Sequence, residues 1–163
     1  MATPTYTAIA SITLGSDVST VEFASIDQSF RDLVLVANWK PAGNYGQWRL
    51  NNDTGSNYSR VFMRGNGSAA GSGSGTSNAA FFNIASSYTS STEALTILQI
   101  MDYSATDKHK TALQRTNANT PNEVEAYAYR WANTAAVTTI TIDTQNGSNI
   151  LTGSTFALYG IAS

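Results

Sequence analysis

The chain has 163 residues, a formal net charge of −2 and no cysteine. That length suits one domain, residues 1–163, able to bury roughly 70% of its unfolded surface without a disulfide or metal staple. The missing thiols exclude thiolate chemistry, and the weak charge gives no electrostatic reason to expect nucleic acid.

Charged residues make up 12% of the chain, about half the usual quarter. Ser, Thr and Asn take their place, which favours strands and neutral turns over exposed helices. No apolar run approaches the ~20 residues of a membrane span. Met1-Ala2-Thr3-Pro4-Thr5 has neither the basic start nor the apolar stretch of a signal peptide. The expectation is a chain made and folded in a cytoplasm, with no membrane partner.

Tyr6 to Leu14 alternates loosely, with Tyr6, Ala8, Ala10 and Ile12 on one face, and Gly15-Ser16-Asp17 turns it. Val21 and Phe23 share a face in a short strand. Phe30 leads into the apolar run Leu33-Val34-Leu35-Val36-Ala37, which ends at Lys40-Pro41. Gln47 to Leu50 reads as a further strand, closed by the polar loop Asn51 to Ser59. Gly65 to Asn78 has the composition of a flexible loop. Phe81, Phe82 and Ile84 mark a short strand, and Ser86 to Thr92 a loop. Ala94 to Met101 is the second long apolar strand, and Lys108 to Arg115 returns from it. A loop over Asn117 to Asn122 follows. Val124 to Trp131 alternates, with Glu125, Tyr127, Tyr129 and Trp131 on one face. Val137 to Ile142, the Asn146-Gly147 turn and Thr155 to Ile161 complete the chain.

About nine to eleven strands and no helix of note predict an all-β fold: a two-sheet antiparallel β-sandwich, jelly-roll-like. A strand that buries one face should alternate. Leu33 to Ala37 and Ala94 to Met101 are apolar on both faces. This predicts a homo-oligomer, with Val34, Val36, Leu98 and Ile100 as candidate interface residues.

Chemistry is sparse. His109, the one histidine, stands among lysines with no nucleophile elbow in the chain. Glu123 and Glu125 share a strand face, which more often means edge residues than an acid pair. Asn51-x-Asp53-x-Gly55-x-Asn57 faintly resembles a calcium loop but lacks the closing acid, so ordinary turn chemistry explains it. No catalytic residue, cofactor site or metal site is expected. Tyr127, Tyr129 and Trp131 beside Glu125 form a candidate glycan or partner contact.

The loop Arg49-Leu50-Asn51-Asn52-Asp53-Thr54-Gly55-Ser56-Asn57-Tyr58-Ser59, the segment Arg130 to Ile140 and the ending Phe156-Ala157-Leu158-Tyr159-Gly160-Ile161 carry a resemblance. They resemble a group of small β-rich virion proteins of tailed bacteriophages, common in aquatic and cyanobacterial phages. The resemblance spans nearly the whole chain except Gly65 to Asn78. It implies a non-enzymatic virion component, either a capsid decoration or cement protein or a tail-associated one. The implied partners are copies of itself, commonly a homotrimer, and the major capsid protein or other virion proteins. Its alternative is a tail or fibre module that binds host-surface glycan.

Overall fold

The computed structural model describes residues 4–43, 45–82, 93–118 and 123–162. Ile84, the loop expected over Ser86 to Thr92 and most of the one over Asn117 to Asn122 lie outside them. The strands are β1 (Tyr6–Thr13), β2 (Val21–Phe23), β3 (Asp32–Trp39), β4 (Gly46–Leu50), β5 (Tyr58–Gly65) and β6 (Ala70–Asn78). They continue as β7 (Phe81–Phe82), β8 (Ala94–Met101), β9 (Lys110–Ala118), β10 (Glu123–Trp131), β11 (Ile140–Thr144) and β12 (Thr155–Ile161).

They form two antiparallel sheets, one of eight strands in the order β1-β12-β3-β8-β9-β10-β5-β6 and one of four in the order β2-β11-β4-β7. Set aside β5, β6, β9 and β10. The remaining strands nest, with β1 against β12, β2 against β11, β3 against β8 and β4 against β7. A long hairpin that rolls up into two sheets gives this order, so the core is a jelly roll. Two hairpins are inserted into it. β9–β10 extends the large sheet from β8, and β5–β6 extends it again from β10.

The core lies between the sheets. Leu33, Leu35, Ala37 and Trp39 of β3 share an inward face with Ile100, Leu98 and Ala94 of β8. They meet Trp48 and Leu50 of β4 and Ile140 and Ile142 of β11. Trp39 tilts on Trp48 at a ring separation of 5.4 Å. Under the inserted hairpins an aromatic ladder runs from Phe62 through Tyr127, Tyr129 and Phe81 to Tyr58 and Trp131.

Two expectations about the strands change. Tyr6, Ala8, Ala10 and Ile12 do not keep one face, because a bulge between Ala8 and Ala10 shifts the phase and lets Ile9 and Ile12 both pack on the core. The Gly/Ser stretch expected as a flexible loop over 65–78 is for nine residues the edge strand β6. Its glycines have a packing cause. A Cβ on Gly73 would come within 2.7 Å of the Phe62 ring, and Gly71 and Gly75 lie beneath the Arg64 and Arg60 side chains. Long β5 side chains lie across β6 and give these glycines the contacts they cannot make themselves.

Candidate functional site

The loop after β4 begins as a tight turn. Asn51 and Asn52 hold φ of 51° and 55°, and the Asp53 amide donates to the Leu50 carbonyl at 3.0 Å. Two successive positive φ angles define a type I′ turn, which asparagine tolerates better than most residues. Asn51 then spans to the β10–β11 connection, accepting from the Thr138 and Thr139 amides at 2.8 and 3.1 Å and donating to the Ala136 carbonyl at 2.7 Å.

Asp53 is ringed by donors. The Gly55 amide reaches it at 2.8 Å, Asn57 Nδ2 at 2.9 Å and the Trp131 indole N–H at 2.7 Å. Burial opposes the carboxylate charge. Hydrogen bonds from Asn57, Trp131, the Gly55 amide and Asn133 outweigh it and hold the pKa below the usual value. A cation needs oxygen atoms aimed at it, whereas this carboxylate is already occupied by N–H groups. No group of three acidic, histidine or cysteine side chains that could hold a metal occurs among the described residues. Asp53→Ala strands a fully buried indole N–H, so it should cost about 1–3 kcal/mol, measured as a lower urea midpoint. Millimolar calcium should leave the wild-type midpoint unchanged. A calcium-dependent rise would return the loop to the cation reading.

The candidate aromatic contact is not on the surface. Tyr127, Tyr129 and Trp131 are at most 2% exposed, with the two tyrosine rings stacked at 5.3 Å inside the sandwich. The alternation of β10 made them a set, and the small sheet, not solvent, lies on their side. Glu123 and Glu125 share that inward face and are buried. Glu125 Oε2 accepts the Tyr127 hydroxyl at 2.6 Å, and Glu123 Oε1 meets Arg64 at 3.4 Å. Burial pushes the Glu125 pKa up to about 7, aided by the Glu123 charge and opposed by the Tyr127 hydrogen bond, Arg64 and Arg60. Lys110 is buried too, with its ammonium donating to the Lys108 and Thr134 carbonyls at 3.0 and 3.1 Å. His109 is exposed.

The four interface candidates divide. Leu98 and Ile100 point inward beside Leu35 and Leu33, and both are fully buried. Val34 and Val36 point outward, paired with Gln99 and Ile97. A run that is apolar on both faces carries no phase signal, and a one-residue offset exchanges the faces.

The outer face of the large sheet holds the surface that sequence reading missed. Six large hydrophobic side chains are exposed among the described residues, and all six lie on that face: Tyr6, Val61, Met63, Leu95, Leu113 and Val124. Register brings most of them together. One row across the sheet reads Met63, Ala126, Arg115, Ile97, Val36, and the next reads Val61, Ala128, Leu113, Gln99, Val34. Met63 is 67% exposed and Val124 62%. Shallow grooves run along the face, one of about 340 Å³ between Met63, Leu113 and Ala126 and one of about 230 Å³ between Leu95, Arg115 and Val124. The outer face of the small sheet is the opposite in kind, with Glu22, Gln47, Thr141 and the Arg49–Asp143 ion pair. The missed signal was the second phase of β10, Val124, Ala126 and Ala128, which is as apolar as the first.

No protein-family model matches the chain, and no curated protein matches it.

Proposed function

We propose that this chain is a non-enzymatic structural component of a bacteriophage virion, a capsid decoration or cement protein that binds the shell as a homo-oligomer. The outer face of the large sheet carries this reading. Over β8, β9, β10 and β5 its side chains cover on the order of 400 Å², from four strands about 4.8 Å apart and three rows about 7 Å apart. Thr111, Asn117, Arg130, Ser59 and Ser72 rim it. An apolar patch of that extent with a polar rim suits a docking surface. The patch contains Arg115 and no carboxylate, so a shell surface that is apolar with an acidic group complements it. The loop and C-terminal strand that resemble phage virion proteins support the setting.

Two substitutions test the face. Leu113 and Met63 are exposed, so Leu113→Asp and Met63→Asp should leave the fold intact by circular dichroism. Each should reduce binding to undecorated particles at least tenfold, as about 1.4 kcal/mol of lost apolar contact predicts. Unchanged binding by both would remove the face from the reading. The copy number of the chain per particle tests the role itself, with hundreds for a shell decoration and a dozen or so for a tail part.

A further inference from the structure

The sheet edges differ in how open they are to a further strand. The small sheet ends on β2, with three residues, and on β7, of which Phe81 and Phe82 lie among the described residues. The large sheet ends at one side on β1, whose bulge between Ala8 and Ala10 interrupts the spacing of its backbone groups. Shortness and bulges are two ways in which proteins close their edges, and proline and lysine are others. β6, at the other side, carries a register shift only at its far end, between Gly75 and Asn78, and leaves the stretch before it open. It runs for nine residues, Ala70–Asn78, without charge or proline, and its register against β5 is regular from Ala70 to Gly75.

The hairpin turn shows which groups are open. The Asn66 amide donates to the Ala69 carbonyl at 3.1 Å, which makes those two a bonded pair. Bonded and non-bonded pairs alternate along an antiparallel ladder. Gly71, Gly73 and Gly75 therefore turn their backbone groups toward β5. Ala70, Ser72 and Ser74 turn theirs to the free edge, and all three are exposed.

The geometry points to β6 pairing antiparallel with β6 of a second copy about a two-fold axis. This deepens the proposed self-association and rests on it. β6 itself carries no charge, and Arg64, which lies over it, is paired with Glu123, so the strand meets its own copy with little like-charge repulsion; an isologous contact closes at the dimer. Pairing β6 with β1 instead would be head-to-tail, would meet the bulge and would build a ring or an open polymer rather than a closed dimer. Paired residues on neighbouring strands point to the same face. The two apolar outer faces thus join into one, with Val61 and Met63 of each copy one strand from the junction. The doubled face attaches bivalently to a shell. Contacts of this symmetry give even numbers of copies, in place of the trimer expected from the sequence.

The chain has no cysteine, so a single introduced one reports on its own surroundings. In the full chain under mild oxidation, Ser72→Cys or Ser74→Cys should yield a covalent dimer of twice 17.3 kDa, while Ser11→Cys on β1 gives no covalent dimer. Ser74→Pro removes an edge amide without touching the bonds to β5, so it should halve the solution mass measured by light scattering. No dimer from either β6 cysteine, or a covalent dimer from Ser11→Cys, overturns the β6 contact. If wild type is still oligomeric, the homo-oligomer reading survives that result. A wild-type mass of 17.3 kDa at micromolar concentration overturns both.

Discussion

Gly46→Ala should destabilise the protein by about 3 kcal/mol or more, at or beyond the upper end of ordinary overpacking. Gly46 opens β4 on its inward side, and a Cβ there would overlap the Cη2 and Cζ2 atoms of Trp39. Whether that clash is costly depends on the neighbour's freedom to move. Trp39 has none, because it is fully buried between Trp48 at 5.4 Å and Phe156 at 6.3 Å. Interiors packed to crystal density transmit such an insertion rather than absorb it. For a domain of this size each kcal/mol is worth roughly 2–4 °C, so the melting point should fall by about 6–12 °C. Gly15→Ala is the control. Nothing lies within 4 Å of a Cβ there, and the substitution should be neutral or slightly stabilising. Trp39→Phe combined with Gly46→Ala should cost less than the two single changes added, since the smaller ring vacates the contested space. Equal melting points for Gly46→Ala and Gly15→Ala would sink the argument.

The same dependence on neighbours explains what the sequence could and could not reveal. The alternation of β10 was legible because Glu125, Tyr127, Tyr129 and Trp131 differ from Arg130 and the alanines between them. The all-β class and the Asn146-Gly147 turn were legible from local chemistry, and Gly147 does take φ of 73°. β6 was not legible. Its Gly-Ser repeat is linker composition, and only Phe62, Arg60 and Arg64 of another strand make it a strand. The interface residues failed for a related reason. Val34 and Leu98 look alike in a run of aliphatic residues, and the pairing that sends one outward and the other inward is set by strands far away in the chain. The nested strand order is likewise a property of long-range pairing that no local window contains.

Between pH 5 and pH 8.5 the wild-type protein should lose stability, and Glu125→Gln should abolish most of that loss. In the unfolded chain this carboxyl titrates near its ordinary 4.5, and in the folded one burial raises it to about 7. Below 4.5 both states hold the proton and nothing is gained or lost. As the pH rises the unfolded state ionises first, while the folded state must keep the proton or bury a charge. The stability present at low pH is therefore lost as the pH climbs through 7. A shift from 4.5 to about 7, at about 1.4 kcal/mol per unit, amounts to about 3 kcal/mol. The groups facing Glu125 are Tyr127 and Glu123 on its own strand and Arg60 and Arg64 on β5. Glutamine keeps an oxygen for the Tyr127 hydroxyl and cannot ionise. Urea midpoints at pH 5, 7 and 8.5 should show the variant near wild type at the lowest pH and more stable by up to about 3 kcal/mol at the highest. A constant difference across the three would mean that Glu125 does not titrate in this range. The two carboxylates expected from the sequence as edge residues are buried instead, and they act through folding: a buried acid on the inner face of β10 makes the stability of the protein depend on pH.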